Sequence, residues 1–329
     1  MDWQQVPVLV TGAAGFIGSH LVEDLVSQGA RVRAFVRYTS RGDIGLLRYL
    51  TDDLFGKIEI VHGDLRDSSA VHRAMEGSEY VFHLGALIAI PYSYVNPREV
   101  VDTNVIGTLN VLEAARLTKP RRVIHTSTSE VYGTAKFVPI TEEHPLQGQS
   151  PYSASKIGAD KIAESYYRSF DTPVVTVRPF NTFGPRQSTR AVIPTIITQA
   201  LTRREIRLGS LAPTRDFTFV ADTARGFICA AEAEGVLGHE INLGTNNEIS
   251  VGDLAQRIAG LLGEEISIVC EEERLRPGKS EVERLHADNS LAASLMGWTP
   301  QVSLDDGLQR TIDWIAEHRD LYRVAGYHV

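Results

Sequence analysis

The chain has 329 residues, 43% hydrophobic and 22% charged, which suits one large α/β unit carrying a smaller lobe and excludes a disordered chain. Its 33 basic and 41 acidic residues give a formal charge of −8 with no long run of one sign, which argues against a nucleic-acid partner. No membrane-length apolar stretch or secretory leader is visible, and Cys229 and Cys270 are too few and too far apart for a zinc site or disulfide framework, so no membrane partner, no metal and a cytoplasmic location are expected.

The apolar, β-branched run at 6–11 stops at Gly12-x-x-Gly15-x-x-Gly18, after which Phe16, Ile17, Leu21, Leu25 and Val26 recur at helical spacing. Gly29 closes that helix and residues 31–36 read as a second strand, giving a right-handed βαβ unit. Further strands are predicted at 58–62, 80–84, 122–127 and 173–177, with helices at 68–75, 97–117 and 152–170. This alternation implies a Rossmann-type, doubly wound parallel sheet whose ligands sit beyond the carboxyl ends of the strands. After Pro179 the pattern is interrupted by Pro185, Pro194 and Pro213, and helices near 217–234, 251–262, 290–296 and 304–318 predict a smaller C-terminal substrate-binding lobe. The expected division is 1–180 for the dinucleotide-binding domain, rejoined by 216–243 through a strand at 240–243, and 181–215 with 244–329 for the lobe.

Gly12, Gly15 and Gly18 lack the side chains that would keep a pyrophosphate from the backbone and from the positive helix start, where Phe16 and Ile17 lie. The spacing differs from G-x-G-x-x-G and also suits a tight turn with no ligand. At the end of the second strand, where NAD sites carry an acidic residue for the ribose diol, stand Val36 and Arg37. An arginine there suits a 2′-phosphate and tilts an NAD(P) site toward NADP; a solvated surface arginine is the alternative. Asp64 and Leu65 follow the third strand and are placed to meet the adenine, with helix capping as the other role open to Asp64. Leu84, Gly85 and Ala86 follow the fourth and leave room for the dinucleotide backbone.

Tyr152 and Lys156 stand four apart on a helix and so share a face. An ammonium beside a phenol lowers its pKa from about 10, making a base for an alcohol proton. The run Thr126-Ser127-Thr128-Ser129-Glu130 brings hydroxyls and a carboxylate to the sheet's carboxyl edge, where a sugar can bind or a plain polar turn can form. In the segment 90–94, Tyr92 offers a flat wall for a hexose, with core packing as the competing role.

Thr11-Gly12-x-x-Gly15-x-x-Gly18, Asp64-Leu65, Ser127, Tyr152-x-x-x-Lys156 and Arg178-Pro179-x-Asn181, in this order, resemble the extended short-chain dehydrogenase/reductase family over nearly the whole chain. Within it, Thr128-Ser129-Glu130-Val131-Tyr132-Gly133, Asn181-x-x-Gly184-Pro185-Arg186, Arg215-Asp216-Phe217 and Arg276-Pro277 are similar to nucleotide-sugar 4,6-dehydratases. The resemblance implies an NAD(P) cofactor, a nucleotide-diphosphate sugar and a homodimer joined by the helices at 97–117 and 152–170.

It also implies the roles. Tyr152 takes the proton of the sugar 4-hydroxyl while C4 gives hydride to the nicotinamide; Lys156 orients the ribose, Ser127 lies on the cofactor side and Thr128 bonds the 4-oxygen. Glu130 then removes the C5 proton, water leaves C6 and hydride returns to C6. Ser129 stands where many such dehydratases carry an aspartate as acid, and Thr-Ser-Glu also occurs in UDP-glucuronate decarboxylases. Decarboxylation is therefore the first alternative, 4-epimerisation the second, and a non-catalytic dinucleotide sensor the third, disfavoured by the retained Tyr152, Lys156 and Glu130. Asn181, Arg186, Arg215 and Arg276 are the implied diphosphate ligands, guanidinium forks matching phosphate oxygens. Overall similarity leans toward N-acetylhexosamine nucleotides.

Overall fold

The computed structural model describes residues 1–203, 205–263, 266–271 and 278–322. Strands β1 (Pro7–Thr11), β2 (Arg31–Arg37), β3 (Glu59–Gly63), β4 (Tyr80–His83), β5 (Arg122–Thr126) and β6 (Val174–Pro179) join Glu240–Leu243 in one sheet of 7 strands. The order is Glu240–Leu243, β6, β5, β4, β1, β2, β3, and every pairing is parallel. Strand order reverses between β1 and β4, which opens the crevice for ligands beyond their carboxyl ends. Every residue of β4 and β6 is buried, as expected of strands covered on both faces, whereas the edge strand β3 is partly exposed.

Alternation along the strands divides the core. Val8 and Val10 of β1 face the helices Phe16–Ser27 and Val220–Glu232, meeting Leu21, Leu25, Phe227 and Ile228. Leu9 points the other way, into a cluster with Val71, Val111, Leu112 and Ala163 from the helices on the opposite face. Each fully buried side chain of this size contributes about 1.5–3 kcal/mol.

Two helices of the second face set up the site. Pro151–Phe170 starts on a capping box in which Ser150 and Ser153 satisfy each other's backbone amides, with Pro151 in the first turn, and ends at Asp171 in a left-handed conformation. Residues 97–117, predicted as one helix, lie in a helical run to Thr118 that contains a π-helical stretch at Asp102–Ile106. Its cause is Asn104, buried and tied to the loop after β4: it accepts from Leu87 N at 2.7 Å and donates to Leu87 O at 2.9 Å and Ser155 Oγ at 2.9 Å.

Beyond Pro179 the chain leaves the sheet to build a second core from Phe183, Ile193, Ile197, Phe219, Leu254 and Ile312, against which Phe16 and Ile17 of the first helix also pack. It returns through Val220–Glu232 and Glu240–Leu243, the latter paired with β6. No described helix is long and apolar enough to cross a membrane.

Candidate active site

The glycine turn joins β1 to the first helix. Gly12 has φ +68, and a Cβ there would lie 2.7 Å from Gly85 N; one at Gly18 would lie 2.2 Å from Gly12 O. Side chains are thus excluded by the turn's contact with the β4 loop and with itself. The helix begins at Gly15 without a side-chain cap, so its first-turn amides, at the positive end of the dipole, form a donor set that fits a pyrophosphate. Leu84 and Ala86 follow β4 beside this turn, half-buried, while Thr11 Oγ1 accepts from Gly85 N at 3.1 Å and bonds His83 Nδ1 at 2.8 Å. Leu65 is buried, packed where a Cβ on Gly85 would come within 2.6 Å of its Cδ1.

At the ends of β2 and β3 the pairings differ from the sequence expectations. Asp64 takes a two-pronged bond from Arg66 (Nε to Oδ1 2.9 Å, Nη2 to Oδ2 2.6 Å), and Asp67 caps the next helix, which corrects the capping alternative for Asp64. Arg37 is exposed and reaches Glu99, its Nη2 3.5 Å from Oε1. Tyr92 lies in a short helix, Ile90–Val95, and its hydroxyl donates to the same Glu99. It thereby joins this charged cluster.

The catalytic candidates meet at the carboxyl edge of β5. Thr128 caps the 3₁₀ turn Ser129–Tyr132, its Oγ1 accepting from Glu130 N at 3.2 Å, and its side chain stands near enough to the Tyr152 phenol to favour its ionised form. Glu130 is half-buried and close enough for its charge to act on that phenol, whereas Ser129 between them is buried. Tyr152 and Lys156 are buried on one face of their helix. The sequence expectation of a depressed phenol is not met by the protein's own groups. Burial pushes Tyr152 well above the usual range, Thr128 opposes this, and the carboxylates of Glu130 and Asp160 add to the rise. The Lys156 ammonium donates to Thr126 O at 2.7 Å, and burial lowers it to about 8 against the opposing pull of Asp160.

Asp160, one turn past Lys156, was invisible in the motif reading and organises the floor of the site. It accepts from Ser127 Oγ at 2.7 Å, His125 Nε2 at 3.1 Å and Arg178 Nη2 at 3.1 Å, all buried. Burial alone would raise its carboxyl, but the His125 bond and the charges of Arg178, His125 and Lys156 hold it at about 2. Ser127, placed on the cofactor side by resemblance, thus gives its hydroxyl proton to Asp160. Arg178 continues to the Tyr132 hydroxyl at 3.0 Å, which donates to Asn242 Oδ1 at 2.8 Å, joining β5, β6 and the Glu240–Leu243 strand. The available signal was the recurrence of Tyr152, Lys156 and Asp160 at four-residue spacing.

The implied diphosphate ligands Asn181, Arg186 and Arg215 each have a distinct environment. Asn181 keeps a buried Oδ1 with no hydrogen-bond partner. Arg215 is buried, donating to Thr214 O at 2.9 Å and lying 3.2 Å from Glu281 Oε1. Arg186, at φ +70, is buried against the first helix, where Nη2 donates to Glu23 Oε2 at 2.7 Å and the guanidinium stands 5.7 Å from the Trp314 ring. Through that arm it ties the first helix to the second lobe, while its buried Nε has no hydrogen-bond partner. Arg276 lies outside the described residues.

A profile of the family described as GDP-mannose 4,6 dehydratase matches residues 9–311. The chain belongs to this family. Within the GDP-mannose 4,6-dehydratase family, a UDP-glucose 4-epimerase from Mycolicibacterium smegmatis is 35% identical over 93% of this chain and 97% of its own. A UDP-N-acetyl-alpha-D-glucosaminuronate decarboxylase from Bacillus cytotoxicus is 33% identical over 94% of this chain and 97% of its own. The structure of dTDP-glucose 4,6-dehydratase from Streptomyces venezuelae, with NAD and TYD bound, is similar with a TM-score of 0.87 and 31% identity, covering 97% of this chain and 99% of that one. The family thus carries dehydration, epimerisation and decarboxylation of nucleotide sugars on one extended short-chain dehydrogenase/reductase fold.

Proposed function

We propose that this protein is a nucleotide-sugar 4,6-dehydratase using NAD(P), and that an N-acetylhexosamine nucleotide is its substrate. The observation that carries the proposal is Glu130, a carboxylate on the turn capped by Thr128 and within electrostatic reach of Tyr152. The glycine turn and uncapped helix start hold the pyrophosphate, with Leu65, Leu84 and Ala86 beside it. When bound, the dinucleotide accepts hydride from C4 and later returns it, and its nicotinamide cation opposes the rise that burial imposes on the Tyr152 phenol.

Tyr152 takes the 4-hydroxyl proton while Thr128 holds the 4-oxygen. The resulting C4 carbonyl acidifies the C5 hydrogen, which Glu130 removes. Buried Ser129 is a poor acid, so the proton held by Glu130 passes to the departing C6 hydroxyl, and water leaves. Asn181 offers its unpartnered Oδ1 to the substrate, and Arg215 with Arg276 supplies positive charge for the diphosphate. The lobe at 181–215 and 244–329 meets the nucleotide sugar on this side.

A second reading, 4-epimerisation, is favoured by the 35% identity to a UDP-glucose 4-epimerase and needs only the Tyr152 step. Incubation with a panel of nucleotide sugars, read by mass spectrometry, separates the two: loss of one water supports the dehydratase. Unchanged mass with altered chromatography means epimerisation, and loss of CO2 from a uronic acid means decarboxylation; either overturns it.

The proposal includes a homodimer. Exposed Val101, Ile106 and Leu117 on residues 97–118 and Phe170 on the Pro151–Phe170 helix support an apolar contact between copies. Sedimentation should give a dimer, and a concentration-independent monomer refutes it.

A further inference from the structure

Charged side chains from three separate segments converge where β2 and β3 end. Arg37 is the last residue of β2, paired in register with Gly63, and Asp64 follows directly. In a Rossmann sheet this edge receives the adenosine ribose, and the group beyond β2 distinguishes a free 2′-hydroxyl from a 2′-phosphate. Here Glu99, from the start of the helix at 97–118, reaches into that position. One of its oxygens lies 3.5 Å from Arg37 Nη2 and 3.9 Å from Arg66 Nη1, and the other accepts from the Tyr92 hydroxyl. Asp64 occupies the fork of Arg66 from the opposite side, and Asp102 adds a further negative charge felt by Arg66. Two guanidinium groups thus face three carboxylates.

We propose that Glu99 selects NAD over NADP by occupying the arginines that a 2′-phosphate would otherwise engage. The proposal rests on the reading that this cleft binds a dinucleotide. A 2′-phosphate carries about two negative charges. It would have to displace Glu99 from Arg37 and sit beside Asp64, whereas a ribose diol is neutral and can donate to carboxylates. The arrangement reverses what Arg37 implies in isolation. With its side chain 62% exposed, Arg37 is screened by solvent, so the discrimination is moderate.

The test is calorimetric titration of the full chain with NAD+ and with NADP+. The wild type should bind NAD+ more tightly. Glu99→Gln keeps the shape and an acceptor for Tyr92 while removing the charge; it should tighten NADP+ binding about tenfold and change NAD+ binding less than about twofold. Adding Arg37→Ala to Glu99→Gln should abolish the gain. A wild type that prefers NADP+, or an unchanged NADP+ to NAD+ affinity ratio in Glu99→Gln with NAD+ binding intact, overturns the selection by Glu99 alone. A wild type that binds neither dinucleotide overturns the underlying reading and the selection with it.

Discussion

Tyr152→Phe should lower the rate of nicotinamide reduction about 10²–10⁴-fold, the range expected for loss of a general base, while leaving dinucleotide binding intact. The phenol is buried, close to Thr128 and charged only at a cost that burial sets. Removing the hydroxyl takes away the proton acceptor without opening a cavity, since the ring remains. Single-turnover absorbance of the reduced nicotinamide reads the step directly; a variant with the wild-type rate would remove Tyr152 from the mechanism. The same chemistry predicts an alkaline decline in the wild type. Lys156, lowered by burial to about 8, carries its charge below that pH and loses it above, so the ammonium proposed to orient the ribose loses its charge as pH rises through that value.

The sheet was legible because its strands are short apolar runs ended by glycine or polar turns, and burial on both faces leaves no competing pattern. The glycine turn and the Tyr152/Lys156 pair were legible for a related reason: both are local, their geometry following from a turn or from helix periodicity. What escaped depends on groups distant in sequence. Arg37 looks like a phosphate ligand until Glu99 arrives from a helix after β4. Arg186 stands in a motif that implies a diphosphate, and Glu23 on the first helix takes one arm of its fork. Ser127 is a cofactor-side hydroxyl by position and an Asp160 partner by contact. In each case the side chain's charge or hydrogen-bonding capacity was readable, and the partner satisfying it was not. The π-helical stretch shows the same limit in the backbone: nothing in residues 102–106 breaks a helix, and only the tie between Asn104 and Leu87 accounts for it.

Glu130→Gln divides the reaction at the point where the family's activities part. The amide preserves the size of the side chain and leaves the backbone bond from Glu130 N to Thr128 in place, so the turn that positions Thr128 against Tyr152 should persist. Oxidation at C4 needs Tyr152 and should survive, with the phenol relieved of one neighbouring negative charge. Removal of the C5 proton needs a base, and an amide is not one. The expected result is about 10²–10⁴-fold loss of dehydration with reduced nicotinamide accumulating in a single turnover, because hydride has no C6 acceptor to return to. Deuterium at C5 adds a second readout: exchange with solvent should vanish in the variant along with water loss. Unimpaired turnover to a dehydrated product in Glu130→Gln would mean that another group performs the elimination, whereas unimpaired epimerisation would assign the chain to chemistry in which Glu130 never touches C5.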